Sequence, residues 1–262
     1  MTETAFTLGT PIPAARSIWS KVPQVTLLFW IVKILTTGMG ETTSDFLVHR
    51  IDPPLAVVLG FLGFLIAMAL QVRASRYTAE VYWLAVVMVS VFGTMAADVL
   101  HVGLGIPYTV STAFFALALG AILTLWYRSE GTLSIHSIHT RRRELFYWAT
   151  VLATFALGTA AGDLTATNMG LGYLDSGFLF AAIFALPALA FWKYGLPEIP
   201  AFWFAYIVTR PLGASFADWM GVSRQRGGLD LGTGPVSFAL AIAISALVGY
   251  VALTKKDAED GK

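Results

Sequence analysis

Four aspartates in this chain each stand at the end of the same frame. Phe29-Trp30 precedes Asp45 by sixteen and fifteen residues, Gly40 precedes it by five, and the small residue Ser44 stands directly before it. The frame returns as Tyr82-Trp83, Gly93, Ala97 and Asp98, then as Tyr147-Trp148, Gly158, Gly162 and Asp163, and last as Phe202-Trp203, Gly213, Ala217 and Asp218. Four of the eight tryptophans thus keep one offset from four aspartates, a regularity that unrelated segments do not produce. The chain reads as a four-fold internal repeat, so its fold has to place four equivalent segments.

Each frame lies in an apolar stretch. Hydrophobic side chains make up 56% of the chain and charged ones 13%, about half the charged share of an ordinary soluble domain. A membrane-crossing helix needs about 20 mostly apolar residues, and eight segments meet that measure: 24–48, 54–72, 79–102, 108–127, 144–168, 176–194, 199–220 and 235–253. The first of each pair carries the aspartate and the second is a plain apolar span, so the unit reads as a two-helix hairpin. Asp52-Pro53-Pro54, Gly105-Ile106-Pro107, Gly172 to Gly177, and Gly227-Gly228 to Gly234-Pro235 separate the members of each pair. The expected fold is an all-α integral membrane protein with eight transmembrane helices, arranged as four parallel two-helix repeats around an axis along the membrane normal. Repeat 1 covers 21–74, repeat 2 75–130, a basic loop with repeat 3 131–195, and repeat 4 196–254. Together they form one membrane domain between cytoplasmic tails at 1–20 and 255–262.

Charge orients this scheme. Placing both termini and the loops between repeats on one side collects Arg16, Lys21, Arg73, Arg76, Arg128, Arg141, Arg142, Arg143, Lys193, Lys255, Lys256 and Lys262 there. Only Arg50, Arg224 and Arg226 fall on the other. Cytoplasmic loops carry the excess of Lys and Arg, which predicts cytoplasmic termini and a multi-pass protein. The basic loop from Arg128 to Arg143 reads as a topology determinant or as a binder of anionic headgroups. Lys plus Arg count 17 against 16 acids, so nucleic-acid binding has no electrostatic support. Without cysteine there is no disulfide and no thiolate metal site.

The small residues Ser44/Gly40, Ala97/Gly93, Gly162/Gly158 and Ala217/Gly213 form ridges of the kind that let helices approach closely in lipid. Ionisable side chains within a membrane are costly, at roughly 2.5–3.5 kcal/mol even on the lenient insertion scale, and they mark function. Glu41, Asp45, Asp98, Asp163 and Asp218 are therefore the candidate ion-binding acids. Glu41 stands one helical turn before Asp45, and the matching positions in the other repeats hold Thr94, Thr159 and Ala214, adding two neutral oxygen ligands. Crowded carboxylates have to share protons or bind a cation. Lys33 and Arg210 lie in the same helices, as charge partners or gates, and Pro211 predicts a break in the fourth marked helix. His49 follows Asp45 by four residues and His101 follows Asp98 by three. With Glu41 they make a mixed nitrogen and oxygen metal set, or they cap helix ends. Fifteen residues, about 22 Å of helix, separate each tryptophan from its aspartate. The tryptophans read as interfacial anchors or as the lining of an inner gate.

These repeats resemble a family of bacterial membrane-anchored proteins built from four tandem repeats of unknown function, each with two transmembrane segments and a marked tryptophan. The resemblance runs from Lys21-Val22-Pro23 to about Leu253. It is most specific in Phe29-Trp30 with Gly40-Glu41-Thr42 and in Tyr147-Trp148 with Gly158-Thr159-Ala160-Ala161-Gly162-Asp163. It implies a bacterial inner-membrane location and no particular activity. The residues point to a secondary transporter or exporter of a small cation, with a divalent metal such as Mn2+ or Mg2+ as substrate and protons exchanged on the same carboxylates. The alternatives are a membrane-embedded metal-dependent hydrolase and a structural or partner-binding membrane protein with internally paired acids. No resident cofactor is implied, and the expected partners are the lipid bilayer, a small cation and protons.

Overall fold

A computed structural model describes residues 20–255; the expected tails lie outside them except for Ser20 and Lys255. The described residues form eight long helices: α1 (Leu27–Arg50), α2 (Pro53–Arg73), α3 (Ala79–Asp98), α4 (Tyr108–Glu130), α5 (Arg141–Asp163), α6 (Tyr173–Tyr194), α7 (Glu198–Gly221) and α8 (Thr233–Thr254). No strand occurs among the described residues. Local chemistry sets several ends. The Thr26 side chain accepts from the Phe29 amide, Asp52 caps the Leu55 amide ahead of Pro53 in the first turn of α2, and Thr140 caps the Arg143 amide. Gly131 and Gly195 close α4 and α6 in the left-handed conformation, at φ 72° and 67°. Beyond Asp98 and Asp163, α3 and α5 continue as π-helical turns over Val99–Gly103 and Leu164–Asn168.

Six helices are long and apolar enough to cross a membrane: α2, α3 with its π turn, α4, α5 with its π turn, α6 and α8. The protein is a multi-pass membrane protein whose outer helices offer Leu, Phe and Ile side chains to lipid tails. The remaining two, α1 and α7, carry the buried cations Lys33 and Arg210.

The four marked helices α1, α3, α5 and α7 form a closed ring, each touching the next and α7 returning to α1. The glycine five residues before each aspartate makes every joint. A Cβ added at Gly40 would strike Ser90, at Gly93 Phe155, at Gly158 Arg210 and Pro211, and at Gly213 Thr37 and the Ile34 carbonyl. Ser90, Phe155, Arg210 and Thr37 each stand three residues before the glycine of their own repeat, so all four joints have one register. Gly213 meets backbone, with the Ile34 oxygen 2.6 Å and the Gly38 nitrogen 3.0 Å from an added Cβ, and no rotamer relieves that. Gly213→Ala is therefore expected to lower stability by about 1–3 kcal/mol through forced separation of α7 from α1. The check is thermal unfolding of the detergent-purified protein, and an unchanged midpoint contradicts the tight joint.

The hairpin expectation needs correcting. Each unmarked helix packs chiefly on the marked helix of the following repeat: α2 on α3, α4 on α5, α6 on α7, and α8 back on α1. The marked helices stand so close that an outer helix is left to cover the outside of the next ring member. Gly60 and Gly63 of α2 face Met95 and Met88 of α3, Gly177 of α6 faces Phe216 of α7, and Gly234 of α8 faces Phe46 of α1. The hydroxyls of Thr43 and Ser237, 2.5 Å apart, tie the closing joint.

Two further expectations change. Pro211 does not break its helix: α7 runs unbroken from Glu198 to Gly221. The proline ring lies against Gly158, in the close joint between α5 and α7. The loop between α4 and α5 is polar only in part. Ile135 and Ile138 are buried in the core, and Trp203 donates from its ring nitrogen to the Leu133 carbonyl at 2.9 Å. Its bases are held by Glu130, 2.8 Å from Arg143 and 3.4 Å from Arg142.

Candidate functional site

The ring axis is lined by five levels of side chains, one helical turn apart on every marked helix. In order they are Phe29, Tyr82, Tyr147 and Phe202; Lys33, Val86, Val151 and Tyr206; Thr37, Ser90, Phe155 and Arg210; Glu41, Thr94, Thr159 and Ala214; and the four aspartates. Residues four apart share a helix face. The ring turns that face inward.

The first level is closed. Three of the four tryptophans lie within the core, with Trp83, Trp148 and Trp203 no more than 5% exposed, and Trp30 packs half-buried against it. At every joint the first aromatic of one repeat meets the tryptophan of the next. Centroids are 5.7 Å apart for Phe29 and Trp83, 5.6 Å for Tyr82 and Trp148, 6.2 Å for Tyr147 and Trp203, and 5.7 Å for Phe202 and Trp30. The Tyr82 and Tyr147 hydroxyls meet at 2.5 Å. These eight aromatic side chains form a plug. Aromatic bulk fills it because the joints bring four helices close at a point where each contributes two rings.

The next two levels hold the cations. Lys33 is fully buried, with its Nζ 4.2 Å from the ring centroids of both Phe155 and Tyr206 and with no hydrogen-bond partner among the described residues. Arg210 is also fully buried. Its Nη2 donates to the Glu41 carboxylate, to the Thr94 hydroxyl at 2.5 Å and to the Thr159 hydroxyl at 2.7 Å, while Nη1 donates to the Thr37 carbonyl at 3.3 Å. Those two threonines already donate to the carbonyls of Ser90 and Phe155, one turn back, so their lone pairs are free to accept from the guanidinium. One arginine thus engages the same position in the three other repeats, where its own repeat has Ala214.

The last level opens. A cavity of about 790 Å³ is lined by Glu41 and all four marked aspartates, together with His49, Tyr108, Tyr173 and Arg226. One oxygen each of Glu41, Asp163 and Asp218 lies within 4.8 Å of the others, close enough to ligate one ion from oxygens at about 2.1–2.6 Å. Asp218 is 7% exposed, and its Oδ1 has no hydrogen-bond partner among the described residues. Asp45 and Asp98 line the same cavity outside that group of three.

The histidines divide. His49 lines the cavity, with its Nδ1 2.6 Å from the Asp45 backbone oxygen, so that nitrogen serves its own helix end. His101 is buried away from the acids, its Nδ1 3.0 Å from the Ser111 hydroxyl and its ring 4.4 Å from that of Tyr108. The close group thus differs from the set read along the sequence as Glu41, Asp45, His49, Asp98 and His101, because Asp163 and Asp218 approach across the ring. Sequence reading missed three lining residues. Arg226 donates to the Tyr173 hydroxyl at 2.7 Å, and its signal was its place among the few bases on the acidic side. Tyr108 and Tyr173 begin α4 and α6 directly after glycine- or proline-marked turns.

A ring of four repeats with an aromatic plug at one end of its axis and a carboxylate chamber at the other is the architecture to compare with known proteins. A family profile described as Repeat of Unknown Function (DUF347) matches residues 28–77, 81–132, 146–195 and 201–257, one stretch for each marked aspartate. The chain belongs to this family. No curated protein and no solved structure matches it.

Proposed function

We propose that the chain is a secondary transporter or exporter of a small cation in the bacterial inner membrane, with a divalent ion of the Mn2+ or Mg2+ class as its substrate. All eight helices cross the bilayer in this reading. Helices α1 and α7 are 24 residues each, about 36 Å at 1.5 Å per residue, and they run beside helices that are apolar enough to span. The plug end faces the cytoplasm, because Lys21, Arg73, Arg76, Arg128, Arg141, Arg142, Arg143 and Lys193 gather there against Arg50, Arg224 and Arg226 at the chamber end.

One observation carries the proposal: five carboxylates meet in a single cavity on the axis of the ring, and the Asp218 Oδ1 is buried there without a partner. Such a chamber attracts a cation and rejects an anion, and oxygen ligands suit hard divalent ions. When the ion leaves, protons relieve the repulsion among the acids, which couples cation movement to proton movement. The form described here is open at the acidic end and shut at the aromatic end. Transport therefore requires the plug to part while the chamber closes. Of the five acids, Glu41 is the one paired with Arg210. Among the described residues the four aspartates have no buried basic partner of that kind, since Lys33 lies among aromatic rings.

Proteoliposomes provide the test. The wild-type protein is expected to move Mn2+ or Mg2+ across the bilayer with counterflow of protons, and Asp163→Asn to reduce that flux at least tenfold. If no cation is moved, or if flux survives asparagine at all four marked positions, the proposal fails.

A further inference from the structure

The pseudo-fourfold ring gives every repeat a position for the residue one turn before its aspartate, and the four positions face one another across the axis. Glu41, Thr94 and Thr159 offer oxygens there, and the Thr37 carbonyl adds another from the level below. A single positive group, the Arg210 guanidinium, fills the space these oxygens enclose. It reaches them from one level below, where the other repeats carry Thr37, Ser90 and Phe155. Its Nε has no hydrogen-bond partner among the described residues, so the forked end of the side chain alone is held by oxygens. The grip is that of a cation site, and its occupant is tethered by a flexible stem of three methylenes.

Glu41 belongs to two sets at once. It accepts from Arg210, and one of its oxygens lies within 4.8 Å of Asp163 and Asp218 oxygens in the open chamber. A divalent ion bound by those three acids draws on the same charge that holds the arginine. The two positive groups lie close together and repel each other.

We propose that the ring of Glu41, Thr94 and Thr159 is a cation site filled by the chain's own Arg210 as a displaceable occupant, and that a substrate ion arriving at Glu41, Asp163 and Asp218 competes with it. The competition with a metal rests on the cation-transport reading above, whereas the ring site does not. Arg210 then keeps the innermost acid neutralised while the chamber is empty and lets go of it when an ion is bound. That makes the resident arginine the element that senses occupancy beneath the plug.

Removing the side chain exposes the site to a free cation of the same shape. Detergent-purified Arg210→Ala, titrated with guanidinium chloride to about 10 mM, is expected to gain about 5 °C in thermal midpoint, as a ligand that binds only the folded state must give. Sodium chloride at the same concentration is the control. Wild type, whose site is already filled, and Arg210→Ala with Glu41→Gln, whose site lacks its charge, are expected to show no such gain. Mn2+ titration by calorimetry is expected to show about tenfold tighter binding to Arg210→Ala than to wild type, with guanidinium reversing the difference. If guanidinium affects Arg210→Ala no more than it affects the double variant, the ring site is overturned. If no variant binds Mn2+ but the guanidinium gain appears, the ring site stands and the metal-transport reading alone falls. Should Arg210→Ala fold only when guanidinium is present, that dependence supports the site. Arg210→Lys, whose shorter ammonium leaves part of the ring open, repeats the comparison, and failure of guanidinium to recover either variant overturns the proposal.

Discussion

Glu41→Gln is expected to cost about 3–5 kcal/mol of stability, the range measured when one partner of a buried ion pair is removed. The substitution keeps size and shape, so packing is not its cause. It takes the acid that pairs with Arg210 among the described residues and leaves a fully buried guanidinium with uncharged acceptors alone: the new amide oxygen, two threonine hydroxyls and a carbonyl. Those groups satisfy hydrogen bonds and supply no compensating charge. For a chain of this size the loss corresponds to roughly 10 °C in thermal midpoint. Adding Arg210→Met is expected to return most of the loss, because replacing both members of a buried pair by uncharged groups is close to neutral. Differential scanning fluorimetry of the wild type, both single variants and the double variant measures the coupling as a thermodynamic cycle. Additive losses would mean that Arg210 is neutralised from elsewhere and that Glu41 is free for other use.

Much of this arrangement could be read along the chain, and particular residues show where reading stopped. The aromatic pair, glycine and aspartate recur at fixed offsets because each has one job at one level of the ring, so spacing alone exposed the four-fold repeat. The glycines were legible as joints for the same reason: close approach leaves only the smallest residue. Lys33 and Arg210 were harder. Each breaks the repeat at a single copy, at different levels, and a sequence shows no partner for an odd residue until the ring brings three other helices to it. Arg210 reaches the position of Glu41, Thr94 and Thr159 by extending one level along the axis, a displacement set by side-chain length and not by register. The pairing of α2 with α3 in place of α1 was hidden too. Short turns favour adjacency between consecutive helices, and only the closed ring leaves the outer helix a better surface one repeat on. The packing of the tryptophans against one another's repeats was not legible along the chain. An aromatic pair at the end of an apolar span is the usual mark of an interface, and the same pair at the same depth on four converging helices becomes a plug.

The ring repeats one joint four times and is unequal in its acids, and the inequality sets the size of the second large effect. If the four aspartates formed one symmetric site, their asparagine variants would weaken cation binding equally. The geometry predicts otherwise. Asp163 and Asp218 share a close group with Glu41, while Asp45 and Asp98 line the cavity outside it. Asp163→Asn and Asp218→Asn are therefore expected to weaken Mn2+ binding about a hundredfold. That is the upper end of what loss of a supporting group around a metal costs, because here a direct oxygen ligand loses its charge. Asp45→Asn and Asp98→Asn act on the ion from outside the close group, through the field of the chamber alone, and are expected to weaken binding about tenfold or less. The two pairs also differ in response to salt. Raising ionic strength is expected to shrink the effect of Asp45 and Asp98 and to leave that of Asp163 and Asp218 nearly unchanged. Calorimetric titration of the four single variants at low and high sodium chloride decides the matter. Four equal losses would place the ion on the ring axis among the aspartates and remove Glu41 from its shell.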